Sequence, residues 1–249
     1  MLDINKTYLG DCLEVMKLID DNSIDMILCD LPYGIIACKW DIIIPLQSLW
    51  EQYKRIIKDN GAIVLTASQP FTSMLVMSNL KMFHYSWIWD KKIPSGMAYA
   101  RFQPMRQHED ILIFSKNKCI YNPQKSKRIV PIKSGGQKNL NTDITTLDKY
   151  KINGFKKIYN EKNPTTILVF DKVRKGGFHP TQKPITLFEY LIRTYTNKGD
   201  LVLDNCAGSG TTGIACINTN RNYILIEKEE KYVVIVEDRI KELLQNRII

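Results

Sequence analysis

The chain has 249 residues, 44% hydrophobic and 24% charged, with 35 basic against 26 acidic side chains and a net charge of +9. That make-up excludes an intrinsically disordered chain, and no stretch approaches the ~20 apolar residues that cross a bilayer. The opening MLDINKTYLGD lacks the basic and apolar regions of a signal peptide, so a soluble, cytoplasmic protein is expected.

The apolar run at 24–29 reads as a buried parallel strand ending in the turn Asp30-Leu31-Pro32-Tyr33-Gly34. A helix is predicted over 45–57 from Leu46, Leu49, Trp50, Tyr53, Ile56 and Ile57, with Asn60-Gly61 as its stop. A second buried strand follows at 62–66, a helix at 71–80, and strands at 83–89 and 111–114 separated by a loop over 91–109. After residue 178 the pattern resumes: a helix from Pro184 to about 196, a strand at 201–203, a Gly-rich turn, a helix over 211–218, a strand at 223–226 and a last helix over 231–244. This βαβα alternation predicts an α/β protein built on an open, mostly parallel sheet.

Residues 116–178 break the rhythm and read as an insert too large for an ordinary connection. They hold fifteen basic and four acidic residues, a net of +11, which leaves −2 for the rest of the chain. Such a concentration favours a polyanion such as nucleic acid, against the plainer reading of a solvated lysine-rich surface. The predicted division is therefore an N-terminal α/β half at 1–115, a basic insert at 116–178 and a C-terminal α/β half at 179–249. The six cysteines (Cys12, Cys29, Cys38, Cys119, Cys206 and Cys216) form no CxxC pair, and no histidine stands at zinc-ligand spacing. Reduced structural thiols and no metal are expected.

Two segments carry chemistry. The first is Val202-Leu203-Asp204-Asn205-Cys206-Ala207-Gly208-Ser209-Gly210-Thr211-Thr212. Here a strand delivers Asp204, a Gly-x-Gly turn admits a ligand close to the backbone, and a helix N-terminus favours an anion. Glu227 ends the following strand, where an acid can accept hydrogen bonds from ribose hydroxyls, so a nucleoside cofactor is predicted. The second is Asp30-Leu31-Pro32-Tyr33 at the carboxyl end of a strand, the edge at which open α/β sheets bind ligands.

These residues resemble the beta class of amino-group DNA methyltransferases. Asp30 to Tyr33 is similar to that family's catalytic motif IV, and Asp204 to Thr212 to its cofactor motif I. His179-Pro180-Thr181-Gln182-Lys183-Pro184 resembles the segment preceding motif I, and Gly10-Asp11-Cys12-Leu13 its motif III. Catalytic motif first, recognition module next and cofactor motif last is the circularly permuted order of that class. The resemblance implies a Rossmann-like, mostly parallel seven-stranded sheet with helices on both faces and a small inserted recognition module. It implies S-adenosylmethionine as cofactor, held by Asp11, Cys12, Asp30, His179, Thr181, Lys183, Asp204, Cys206, Ala207, Gly208, Ser209, Gly210, Thr211, Glu227 and Lys228. Lys183 and the helix N-terminus are then partners for the methionine carboxylate. In motif IV, Asp30 and the Leu31 carbonyl would accept the two N–H bonds of adenine N6, while Pro32 stiffens the turn and Tyr33 stacks on the flipped base. Leu31 stands where proline is more usual, and Asn205-Cys206 replace Pro-Phe.

The implied partner is double-stranded DNA. It would be contacted by Lys91, Lys92, Tyr99, Arg101 and Arg106 of the loop and by Lys125, Lys127, Arg128, Lys133, Lys156, Lys157 and Arg174 of the insert. The resemblance brings two further partners, a second copy of the chain and a cognate restriction endonuclease, although the sequence itself determines neither. Asp at the first position of motif IV favours adenine, whereas cytosine-N4 enzymes more often carry Ser there. Methylation of cytosine N4 is the nearest alternative, then an RNA or protein-glutamine methyltransferase, then a DNA-binding module without activity.

Overall fold

The computed structural model describes residues 2–34, 41–133, 158–173, 178 and 182–247. In chain order the elements are β1 (Lys6–Leu9), α1 (Cys12–Met16), β2 (Ile24–Asp30), α2 (Leu46–Ile56), β3 (Ile57–Ala67), α3 (Phe71–Ser78), β4 (Phe83–Ser95) and β5 (Arg106–Phe114). They continue with β6 (Ser126–Lys133), β7 (Ile158–Lys162), β8 (Ile167–Val169), α4 (Ile185–Tyr195), β9 (Leu201–Asp204), α5 (Thr211–Thr219), β10 (Asn222–Glu227) and α6 (Glu230–Gln245). No helix among the described residues is long and apolar enough to cross a membrane.

Two compact units result, one of residues Met1–Asn122 with Thr166–Ile249, the other of Pro123–Thr165. The first contains an eight-stranded sheet in the order β1-β10-β9-β2-β3-β5-β4-β8. β1, β10, β9, β2 and β3 run parallel, and β5 is antiparallel to both its neighbours. Strands from the N- and C-terminal halves of the chain meet inside the sheet, where Met26 pairs with Val202 and Ile27 with Leu203. This is the permuted Rossmann-like arrangement, with β8 added beyond the seventh strand as a parallel edge partner of β4.

Period-two alternation sorts the core into two layers. Ile27 and Cys29, Ile63 and Leu65, Leu203, and Ile224 and Ile226 face the helices α1, α2 and α3. Met26 and Leu28, Ala62 and Val64, Val202, and Tyr223 and Leu225 face α4, α5 and α6. One face is therefore covered by helices from the N-terminal half and the other by helices from the C-terminal half.

Three local expectations are corrected. Asn60-Gly61 lies inside β3, which begins at Ile57 directly after α2, so it does not stop the helix. Gly61 is instead needed for close approach, since a Cβ there would stand 2.8 Å from the Asp25 carbonyl oxygen. Nearly half of the predicted loop 91–109 is strand, because β4 runs on to Ser95 and β5 starts at Arg106. The short elements β1 and α1 carried too little periodicity to be predicted, and β1 finds its place only by pairing with β10.

The second unit is narrower than the predicted insert and contains the antiparallel pair β6 and β7. Residues 123–165 hold ten basic and three acidic side chains, a net of +7. Flanking residues belong to the larger unit: β8 joins its sheet, and Lys116 donates to the Ile57 carbonyl at 2.8 Å.

Candidate functional site

The carboxyl ends of the parallel strands place Asp30, Asp204 and Glu227 on one edge of the sheet, with Gly10 and Asp11 just after β1. A cavity of about 720 Å³ opens there, lined among others by Asp11, Asp30, Tyr33, Lys183, Gly208 and Glu227. That volume lies within the range of ~300–1,000 Å³ typical of small-molecule sites.

On the cofactor side, backbone geometry does the positioning. Gly208 and Gly210 adopt left-handed conformations with φ of 51° and 78°. A Cβ on Gly210 would meet the Val236 side chain at 2.8 Å, so α6 presses on this turn from behind. Gly210 caps α5 with no side-chain bond, which leaves the first N–H groups of that helix without such a partner. Glu227 accepts from the Gly208 N–H at 2.7 Å and from the Glu229 N–H at 2.9 Å. Asp204 accepts from the Cys206 N–H at 3.1 Å and from the Thr212 hydroxyl. Burial pushes the Asp204 carboxyl up to about 7, against the lowering effect of those hydrogen bonds. Burial also raises Glu227 above the usual carboxylate range. Asp11 caps α1 by accepting from the Leu13 N–H at 3.0 Å, and Lys228 lies 3.7 Å from its carboxylate.

Cys12 and Cys206 line the same cavity, and Cys29 lies buried beside Cys206. All three are free thiols. Burial pushes Cys29 up to about 12, which keeps it a thiol at neutral pH, so it supplies no thiolate nucleophile. Among the described residues no cluster of His, Cys, Asp or Glu could hold a metal ion.

On the catalytic side, side chains do the positioning. The Tyr33 hydroxyl donates to Asp30 Oδ1 at 2.7 Å, and the Thr66 hydroxyl donates to the same oxygen. Lys183 Nζ donates to Asp30 Oδ2 at 2.7 Å and lies 3.3 Å from Glu109 Oε2. Glu109 Oε1 in turn accepts from Lys91 Nζ at 3.1 Å. Burial works to lower the Lys183 pKa, but the Asp30 and Glu109 carboxylates outweigh it and hold the ammonium above its ordinary value. The Tyr33 ring stacks on Phe71, centroids 5.4 Å apart and planes inclined by 24°, and Lys183 Nζ lies over the same ring, 5.6 Å from its centroid. Leu31 is buried and Pro32 half-buried in the same turn.

Two expectations change here. Lys91 does not face solvent for a phosphate: Trp87, Trp89 and Lys91 share the inward face of β4, and Lys91 is 7% exposed. Lys183 is not a free cation for a carboxylate of the cofactor, because Asp30 and Glu109 hold it. Of the other predicted contacts, Lys92 lies 3.2 Å from Asp171, while Tyr99, Arg101 and Arg106 are exposed. In the smaller unit Lys125 lies 3.6 Å from Glu161, Arg128 donates to the Glu161 carbonyl at 3.0 Å, Lys127 is exposed, and Lys133 ends β6. Lys156, Lys157, Arg174, His179 and Thr181 lie outside the described residues.

Thr66, Phe71 and Glu109 escaped the sequence reading. Met26, Leu28 and Asp30 alternate along β2, as do Ala62, Val64 and Thr66 along β3, and Glu109, Ile111 and Ile113 along β5. Continuing each apolar alternation one step past its end would have found the acid and the hydroxyl on the rim of the same face.

The DNA methylase model N6_N4_Mtase matches residues 24–238. The chain is 29% identical to the type II methyltransferase M2.MboI of Moraxella bovis over 262 residues, covering 95% of this chain and 87% of that protein. It is 30% identical to the DNA adenine methyltransferase YhdJ of Escherichia coli K12, covering 90% and 78%. Among solved structures, that of the M1.HpyAVI–SAM complex superimposes with a TM-score of 0.63 at 25% identity, covering 94% of this chain and 98% of the other. The cytosine-N4-specific PvuII DNA methyltransferase shares the fold, with a TM-score of 0.65 at 17% identity over 93% and 84% of the two chains. The match over most of the chain, joined to a Gly-rich turn and an Asp30-to-Tyr33 turn on one sheet edge, makes this protein a member of the N6/N4 DNA methylase family.

Proposed function

We propose that the chain is an S-adenosylmethionine-dependent, site-specific DNA methyltransferase that modifies N6 of a flipped adenine in duplex DNA. The observation that carries this reading is the carboxylate of Asp30, fixed on both oxygens beside a cavity that also holds Asp204, Glu227 and the Gly208–Gly210 turn.

The donor set suits the cofactor. Glu227 would accept from ribose hydroxyls, the uncapped N-terminus of α5 favours a carboxylate, and Asp11 with Cys12 borders the far wall of the cavity. Bound there, S-adenosylmethionine supplies a methyl group made electrophilic by its sulfonium sulphur.

The chain's own task is to prepare the amine. The lone pair of an exocyclic amine is delocalised into the purine ring and is a poor nucleophile. Asp30 and the Leu31 carbonyl, as acceptors for its two N–H bonds, favour a pyramidal nitrogen whose lone pair is released from the ring. Holding that nitrogen in one orientation supplies much of the rate. The Tyr33 ring receives the base, and Phe71 behind it keeps the ring from rotating away. The exposed residues Tyr99, Arg101 and Arg106, and the +7 of residues 123–165, suit phosphate contact along a duplex. Duplex DNA is the partner this reading requires; it calls for neither a second copy nor an endonuclease.

Adenine is favoured over cytosine by Asp30 at the first position of the motif and by the adenine-type relative named above. The test is expression in a host free of DNA methylation, followed by modification-sensitive long-read sequencing and chromatography of the nucleosides. N6-methyladenine at one recurring sequence is expected. N4-methylcytosine would overturn the choice of base, and unmodified DNA from a host with folded protein would overturn the activity.

A further inference from the structure

We propose that Glu109 is a positioning residue for methyl transfer, acting through Lys183 to hold Asp30 in register; the inference rests on the reading of Asp30 given above. Lys91, Glu109, Lys183 and Asp30 form a row of alternating charge, with successive separations of 3.1, 3.3 and 2.7 Å. Lys91 and Lys183 are buried, with side chains 8% and 7% exposed, and Glu109 is 17% exposed. Two buried ammonium groups thus face two carboxylates, and the row is neutral as a whole.

Removing the Glu109 charge leaves two cations to share Asp30. Unpaired buried charge is costly, so the row would rearrange. Lys183 is the member with freedom to do so, since it lies in the segment before α4 and its ammonium ends a flexible stem. Glu109 itself sits on β5, locked opposite Trp89 of β4. Glu109 on its strand therefore fixes the Lys183 ammonium, and that ammonium fixes Oδ2 of Asp30. Glu109 Oε2 is buried, and the Lys183 ammonium 3.3 Å away is the cation beside it.

The groups facing Lys183 are Asp30 and Tyr33 from β2 and its turn, Glu109 from β5 with Lys91 of β4 behind it, and Asp204 of β9 beyond Asp30. Glu109 is one of the two carboxylates that keep Lys183 protonated against burial. In Glu109→Gln, kcat should fall about tenfold or more while the dissociation constant of S-adenosylmethionine changes less than about threefold. The alkaline limb of the kcat profile should move to lower pH by about one unit or more, because Lys183 loses its proton earlier. Glu109→Asp, which keeps the charge, should restore that limb. A limb that stays at the wild-type pH in Glu109→Gln, with kcat and cofactor affinity falling together, would overturn the proposal.

A double-mutant comparison tests the route. If Glu109 acts through Lys183, Lys183→Met and the charge-balanced pair Lys183→Met/Glu109→Gln should have the same kcat, and a further loss in the pair would overturn the proposal. The pair removes one cation and one anion, so it serves even where Glu109→Gln alone does not fold. Asp30→Ala separates the two readings. Methyl transfer retained in Asp30→Ala would remove the proposed function itself. An inactive Asp30→Ala beside a Glu109→Gln with wild-type kcat and pH limb would remove only the positioning role.

Discussion

Asp30 and Asp204 end neighbouring strands of one sheet, yet their surroundings differ in kind. Asp30 is held by Tyr33 three residues on and by two distant side chains, Thr66 and Lys183, the last a cation. Asp204 is held by neutral donors, the Cys206 N–H, the Thr212 hydroxyl and the distant Cys29 thiol, and burial pushes it up to about 7. The Asp30 carboxylate is given a counter-charge, whereas Asp204 has only neutral donors and is raised by burial. A buried cation fixes a charged acceptor, and neutral donors alone do not offset the cost of burying one.

The largest expected effect that tests this contrast is on chemistry. Asp30→Ala should lower kcat by about 10²- to 10³-fold while leaving S-adenosylmethionine affinity within a few-fold of wild type, measured by single-turnover methyl transfer and calorimetry. Asp204→Asn should do the reverse, weakening cofactor binding with kcat at saturation largely kept. If both variants lose kcat alone, the division of labour is wrong.

Next in size is Glu227→Ala. If Glu227 holds the two ribose hydroxyls, its loss should raise the cofactor dissociation constant by roughly 10- to 100-fold, the equivalent of one or two hydrogen bonds to a charged group. An unchanged constant would move the ribose elsewhere in the cavity.

A smaller effect should appear in the pH dependence of stability. The Asp204 carboxyl binds its proton more tightly folded than unfolded, so its contribution is fully present below about pH 4 and is lost as pH rises to about 7. Asp204→Asn cannot titrate there. The difference in Tm between wild type and variant should therefore shift in the variant's favour across that window, and a difference independent of pH would contradict the raised value. The smallest effect concerns the basic unit. Lys127→Ala should weaken DNA binding a few-fold and reduce the slope of log affinity against log salt by about one. A wild-type slope would place Lys127 away from phosphate.

Much of the cofactor side was legible because its determinants are contiguous. Asp204, Gly208, Gly210 and Thr212 lie within nine residues, and Asp204 bonds Cys206 and Thr212 inside that stretch. The catalytic side was only half legible. Asp30 and Tyr33 announce themselves in one tetrapeptide, but Thr66 and Glu109 come in through strand pairing and Lys183 from the segment before α4. Lys91 was misread for the same reason. A lysine in a basic, aromatic stretch resembles a surface residue until the strand is known to continue through it, with Trp87 and Trp89 setting its parity.

By itself the sequence determined the α/β class, the permuted order of the motifs and which acids end two strands, since period-two runs, Gly turns and terminal acids act over a few residues. Tertiary structure alone decided which charges face each other. An ion pair depends on strand register and burial, and neither is local. That is why the row from Lys91 to Asp30 exists only once β2, β3, β5 and β4 lie side by side.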